Sequence, residues 1–389
     1  MRFDKVMEVA LYEPEVGFFA TATEAGRRGH FLTSPEVGPL FGAVLAQALD
    51  QWWEALGFPD PFVVVEAGAG RGSLAIAVRQ ASPACCSALT YVMVERSPSL
   101  RQRQSEHLPI ESPALALLPL VEGEDEPRGQ GSGPRFVSLP ALPALPVVGV
   151  VLANELLDNL AFRVVRRREH GWEELYAGVV PGRAADPEGD HASDRAPGST
   201  GEVDRELGIL EQDFDEVWLR CDEGDRVWCE DHFAALPHGV EVPRQQAIQR
   251  WIREADDTLE RGFVVVFDYA VTTQDIIDRP SRSWLRTYAA HGRGNEPLRN
   301  LGLQDITADV HVDALLASVP YLERSTQADV LRRFGIDALV EEGRAIWQER
   351  AVVGDLSAVV GRSRVREAEA LLDPDGLGAF SVFTFAVGL

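Results

Sequence analysis

The segment Phe62-Val-Val-Val-Glu66-Ala-Gly68-Ala-Gly70-Arg-Gly72 constrains the fold more than any other part of the chain. An apolar run of strand length ends in a carboxylate and then in three alternating glycines. Glycine adopts positive φ without the clash that a Cβ brings, so this spacing lets the chain reverse tightly and bring backbone N–H groups close to a ligand. Residues Ser73 to Gln80 read as the helix that leaves the turn. Strand, glycine turn and helix together predict an α/β protein that holds a nucleotide-like group outside the carboxyl ends of its strands.

The spacing separates candidate ligands. Dinucleotide binders usually carry G-x-G-x-x-G with the acidic residue at the end of the next strand, whereas this turn is G-x-G-x-G preceded by Glu66. It resembles the first motif of S-adenosylmethionine-dependent methyltransferases. Tyr91-Val-Met-Val-Glu95 then reads as the next strand, with a carboxylate able to accept both ribose hydroxyls. Glu66, Gly68, Gly70, Gly72 and Glu95 are therefore the expected cofactor-binding set. The plainer alternative is a strand-turn-helix whose glycines serve packing and whose glutamate is solvated.

Further apolar runs at Phe136-Val137, Val147 to Ala153 and Phe263 to Asp268 alternate with helical or loop material, the pattern of a parallel sheet. Phe380 to Val387 suits a last strand inserted antiparallel. The expected organisation is an amino-terminal segment 1–58, a methyltransferase-like core at 59–160 and 262–389, and an inserted subdomain at 161–261. Within the insertion, Phe162 to Val180 suggests a hairpin turning near His170-Gly171. Val217 to Cys229 suggests another around Glu223-Gly224-Asp225, and Pro243 to Leu259 carries a helical period. Residues 181–204, poor in large apolar side chains, read as a flexible loop. Ser34-Pro35-Glu36 reads as the cap and first turn of a helix over Phe41 to Leu56.

The chain of 389 residues has a net charge of −24, which disfavours nucleic acid as a partner and would attract a basic protein. Arg166-Arg-Arg168 reads as a solvated hairpin tip. Cys85, Cys86, Cys221 and Cys229 lack paired metal-ligand spacing, and Cys229 with His232 does not make a zinc site, so no metal is expected. No apolar run reaches membrane-spanning length, and the amino terminus lacks the features of a signal or transit peptide. A cytoplasmic location is the expectation.

Seven segments carry a wider likeness. They are Leu11 to Phe19, Gly29 to Gly42, Glu66 to Gly72, Val94 to Leu100, Ala153-Asn-Glu-Leu-Leu-Asp158, Val266-Phe-Asp-Tyr269 and Gly302 to Ala308. In this order they resemble the MidA family of S-adenosylmethionine-dependent methyltransferases, whose mitochondrial members methylate arginine in a subunit of respiratory complex I. The likeness implies a Rossmann-like methyltransferase fold, S-adenosyl-L-methionine as cofactor and a protein substrate with an acceptor arginine. It also implies that Thr33 and Ser34, with Glu36, reach the cofactor. Departures stand at His30, Ala270, Asp309 and His311, and they bear on the choice of acceptor.

Methyl transfer from a sulfonium is an in-line displacement in which the protein mainly positions the nucleophile. Asn154, Glu155 and Asp158 follow a central strand and are the expected acceptor-side residues. Glu155 is the first candidate to clamp a guanidinium, because a carboxylate can hold it in a fork. Helix capping by Asn154 with Glu155 in the first turn is the competing explanation. Asp268 and Tyr269 could support the site, and His291, Asp305 and Thr307 could line the acceptor cleft. A non-catalytic assembly factor that retains a cofactor site and a small-molecule methyltransferase remain alternatives, and the sequence is compatible with a homodimer.

Overall fold

A computed structural model describes residues 1–21, 33–117, 133–178, 210, 214–289 and 292–389. The chain divides into two compact units. One comprises Leu32–Leu157, Arg250–Ala270 and Val319–Leu389, and the other Met1–Phe31, Asp158–Gln249 and Val271–Ser318.

The first unit is built on an eight-stranded sheet. Its strands are β1 (Phe62–Ala67), β2 (Leu89–Val94), β3 (Ile110–Glu111), β4 (Arg135–Leu139), β5 (Val147–Asn154), β6 (Leu259–Asp268), β7 (Glu323–Thr326) and β8 (Ser381–Val387). The spatial order is β7-β8-β6-β5-β1-β2-β4-β3. Pairings from β6 through β3 are parallel, and β8 lies antiparallel to both β6 and β7. Every residue of β1 and β2 is buried, as continuous Val-rich runs require when helices cover both faces. The register sets Ala67 opposite Val94 and Ala153, and Phe267 opposite Asn154. The carboxyl ends of β2, β1, β5 and β6 therefore lie side by side along one rim.

Two local readings of this unit change. Ser34–Val37 forms its own single turn, and the long helix starts at Pro39 and runs to Ala55. Glu367, buried on the helix Leu356–Leu371, accepts the Leu40 N–H at 2.8 Å, placing a carboxylate at the positive end of that 17-residue helix. A Cβ at Gly38 would lie 2.3 Å from the Glu367 Cδ, so glycine is needed there for close approach.

The second unit carries a four-stranded antiparallel sheet in the order Asp215–Arg220, Gly171–Gly178, Arg163–Arg168, Glu241–Arg244. The hairpin at His170-Gly171 forms as expected, with Arg168 opposite Gly171. The second hairpin does not. After Arg220 the chain enters a helix, Glu223–Phe233, because the Asp222 side chain accepts the Asp225 N–H at 2.8 Å and caps it. The helical period after Pro243 appears as Gln246–Asp257.

Arg166 is not a solvated tip: it pairs with Glu173 and Glu241, and its guanidinium lies 3.7 Å from the Trp218 ring centre. The amino-terminal helix Phe3–Tyr12 also belongs to this unit. Its face of Phe3, Val6, Met7, Ala10 and Leu11 is buried in one cluster with Phe162, Trp172, Trp284 and Ile306. Amino-terminal residues and 271–318 thus group with 158–249, a division different from the one drawn on the sequence. The loop expected at 181–204, together with His30 and His291, lies outside the described residues.

Candidate active site

The glycine turn after β1 has positive φ at all three positions: 73° at Gly68, 52° at Gly70 and 86° at Gly72. The N–H groups of Gly68 and Ala69 both reach the Val94 carbonyl, at 2.9 and 3.0 Å, which ties the turn to the end of β2. The three glycines are there for different reasons. A Cβ at Gly72 would stand 2.9 Å from the Met93 sulfur and one at Gly68 3.1 Å from Leu156 Cδ1, so these two serve packing as well as φ. At Gly70 an added Cβ would meet nothing within 4 Å: the turn is open there.

Glu95 follows β2 and is bound by backbone. Its Oε2 accepts the Gly70 N–H at 3.0 Å and its Oε1 the Ser97 N–H at 2.8 Å. Burial pushes its carboxyl up, against those two N–H groups and the Arg101 guanidinium, which favour the charged form. Glu66 lies deeper than Glu95. It is 6% exposed, its Oε2 accepts the Tyr91 hydroxyl at 2.9 Å, and burial raises its pKa to about 8. Burial therefore favours its neutral form beneath the turn at neutral pH. Gln104, unremarked in the sequence, is fully buried and donates from Nε2 to the Gly70 carbonyl at 2.8 Å. It ends the short helix Pro98–Gln104, whose sequence does not mark which side chain turns inward.

At the end of β5 the structure overturns helix capping as the account of Asn154 and Glu155. No α-helix starts at Leu156; a single 3₁₀ turn occupies Leu157–Asn159. Glu155 instead has φ of 50°, a left-handed conformation unusual for a residue with a Cβ. Its N–H donates to the Phe267 carbonyl at 2.8 Å, and its Oε1 accepts the Asn154 side-chain amide at 3.0 Å and the Ser34 N–H at 3.3 Å. Asp268, fully buried, accepts the Leu157 N–H at 2.8 Å and so fixes the far side of this turn. The Asn154 Oδ1 is buried with no hydrogen-bond partner among the described residues.

Ser34 is fully buried, with its hydroxyl donating to Gln327 Oε1 at 2.9 Å, so only its backbone reaches Glu155. Thr33 precedes the short turn Ser34–Val37 and makes no side-chain cap bond.

Asp158 lies in the other compact unit, 2% exposed, and accepts the Thr307 hydroxyl. Asp305 is close enough that burial, followed by repulsion from Asp158, raises its pKa to about 7. Asn159 donates to Asp305 Oδ1 at 2.9 Å. His311 is a core histidine there, its Nε2 at 2.9 Å from the Thr273 hydroxyl and its pKa lowered by burial to about 4.

The first unit's rim thus fits an adenosine-bearing cofactor. An open positive-φ turn, a carboxylate held by two N–H groups and an unpartnered Asn154 oxygen all stand at the ends of adjacent parallel strands. A family profile described as "Putative S-adenosyl-L-methionine-dependent methyltransferase" matches residues 44–324. The chain belongs to this family. Among curated relatives, it is 29% identical over 181 residues to the protein arginine methyltransferase NDUFAF7 homolog of Drosophila melanogaster, covering 45% of this chain and 40% of that one. It is 28% identical over 186 residues to NDUFAF7 of Rattus norvegicus, covering 45% and 41%. These matches span about two fifths of the length of those relatives. A Burkholderia thailandensis protein solved bound to S-adenosyl-homocysteine superposes with a TM-score of 0.73 at 24% identity, covering 100% of this chain and 88% of that one. The family's fold, a mainly parallel sheet with an antiparallel last strand, is the one expected from the sequence.

Proposed function

We propose that this chain transfers a methyl group from S-adenosyl-L-methionine to a guanidinium nitrogen of an arginine in a protein substrate. Family membership supports the cofactor, and the names of the curated relatives support the acceptor. The observation that carries the reading is the pair of strand-end turns on one sheet rim. One is an open glycine turn beside the N–H-bound Glu95, and the other holds the Glu155 carboxylate at a strained φ.

Bound S-adenosyl-L-methionine supplies an electrophilic sulfonium methyl group. Glu95 and the Gly70 peptide bind and orient the nucleoside end, the carboxylate accepting ribose hydroxyls with lone pairs that Gly70 and Ser97 do not use. Glu155 attracts the guanidinium and orients one nitrogen, and the Ser34 and Asn154 donors hold that carboxylate in place. The N–C bond forms as the methyl–sulfur bond breaks, the electron pair of that bond staying on sulfur; the nitrogen's proton passes to solvent, and a carboxylate paired with the guanidinium stabilises the charge during that loss. The acidic surface favours an arginine-rich protein segment as the incoming partner.

The test is direct. Purified protein is incubated with methyl-labelled cofactor and arginine peptide arrays, and methylarginine is read by mass spectrometry. Label on arginine supports the proposal. Cofactor binding with label only on small molecules would sink the acceptor, and absence of cofactor binding would sink the whole reading.

A further inference from the structure

We infer that Gln104 is a positioning residue: it fixes the Gly70 peptide, and through it the Glu95 carboxylate, in the arrangement that receives the cofactor's nucleoside. The inference rests on the cofactor reading above and adds a residue that never touches the reacting atoms.

The Gly70 residue is held from both sides. Its N–H points to Glu95 Oε2 at 3.0 Å, while its carbonyl takes the Gln104 Nε2 donor at 2.8 Å. Gly70 is half-buried, has φ of 52° and meets no neighbouring atom where a Cβ would project, so no side chain of its own locks it in place. Glycine has more backbone freedom than any other residue. These two hydrogen bonds fix the orientation of its peptide groups. Glu95 depends on the same peptide, because one of its oxygens is oriented by Gly70 and the other by Ser97.

Gln104 is an expensive way to supply one donor. Its side chain is fully buried, with its Cγ 3.7 Å from where a Gly72 Cβ would stand, and its Oε1 has no hydrogen-bond partner among the described residues. Exchanging the amide's oxygen and nitrogen would set two oxygens against each other at Gly70, so the donor must face the turn. Burying an unpaired amide oxygen costs stability that an apolar residue of the same length would not incur. A core brace would be expected to do without that cost. A donor retained in spite of it serves the turn.

If Gln104 serves the turn, its effects on stability and on binding run in opposite directions, which a merely structural role would not produce. In the full chain, Gln104→Met keeps length and shape and removes both the donor and the orphaned oxygen. Thermal stability without ligand should be equal or higher. Affinity for S-adenosyl-homocysteine by calorimetry should fall roughly tenfold, the scale of one hydrogen bond to a preorganised turn. Amide exchange in the 68–72 turn should quicken while the rest of the sheet is unchanged. Unchanged affinity in a stable Gln104→Met protein would overturn the inference while leaving the cofactor reading intact. A destabilised or unfolded variant would make Gln104 a core brace and overturn it too. Failure of the wild-type protein to bind would remove the cofactor reading, and this inference with it.

Discussion

The turns that follow β1 and β5 solve the same backbone problem in opposite ways. Both leave adjacent parallel strands and both need positive φ. The first uses Gly68, Gly70 and Gly72, for which that region carries no steric penalty. The second places Glu155 there, at about 1–2 kcal/mol of backbone cost. Such strain persists only where the surroundings hold the residue, here through the Phe267 carbonyl, Ser34 and Asn154. A side chain kept where glycine would be easier is retained for its carboxylate. The contrast separates a turn whose function lies in its backbone from one whose function lies in a side chain.

The largest expected effect lies beneath the glycine turn. Glu66 has a folded pKa of about 8 against an ordinary 4.5, so between those values the folded state keeps a proton that the unfolded chain has lost. Stability from this group must therefore fall as pH rises from about 4.5 to 8, by up to about 5 kcal/mol for a shift of this size. Glu66→Gln preserves an acceptor for Tyr91 and cannot ionise. Its denaturation midpoints should lose most of that pH dependence, and an unchanged slope would place the titration elsewhere.

Gly70→Val comes next. The added methyls enter open space, yet φ of 52° is hostile to a β-branched residue and the cofactor's path is occupied. Affinity for S-adenosyl-homocysteine should drop about a hundredfold or more, roughly 3 kcal/mol. Normal affinity in a folded variant would show that the turn is not the binding surface. At the other turn, Glu155→Gln keeps size but not charge, so cofactor affinity should hold while methyl transfer falls about a hundredfold. Equal losses in both would erase the division of labour between the turns.

Glu95→Ala should weaken cofactor binding by about 1.5–3 kcal/mol, the loss of a charged hydrogen-bonding group from a half-buried site. The smallest effect is the most diagnostic of the comparison. Glu155→Gly and Glu155→Ala both remove the carboxylate and differ only in tolerance of positive φ. The glycine variant should be the more stable by about 1 kcal/mol in chemical denaturation, and equality would mean that the turn relaxes without strain.

The glycine turn was legible because glycine itself announces positive φ, and the parallel sheet because fully buried strands read as unbroken Val-rich runs. The turn at Glu155 was not. Asn-Glu before leucines carries the same letters as a helix cap, and only the Phe267 and Asp268 contacts, from a strand more than a hundred residues later in the chain, decide against it. Glu223-Gly-Asp225 misled in the reverse sense. The glycine suggested a hairpin, but Asp222 with Asp225 forms a helix cap, and local capping won. Gln104 was invisible for a simpler reason: nothing in a seven-residue polar helix tells which side chain turns inward.

The position of β8 has a consequence for how the chain is made. Ser381–Val387 lies between β6 and β7 and is the partner of both. β6, with its Phe263-Val-Val-Val-Phe267 run, is synthesised more than a hundred residues earlier. Throughout that interval one flank of this apolar run has unanswered N–H and C=O groups. A nascent chain paused, or cut, anywhere between the two would offer other chains a sticky edge instead of a merely incomplete domain. Shielding during translation is thus a demand written into the strand order itself.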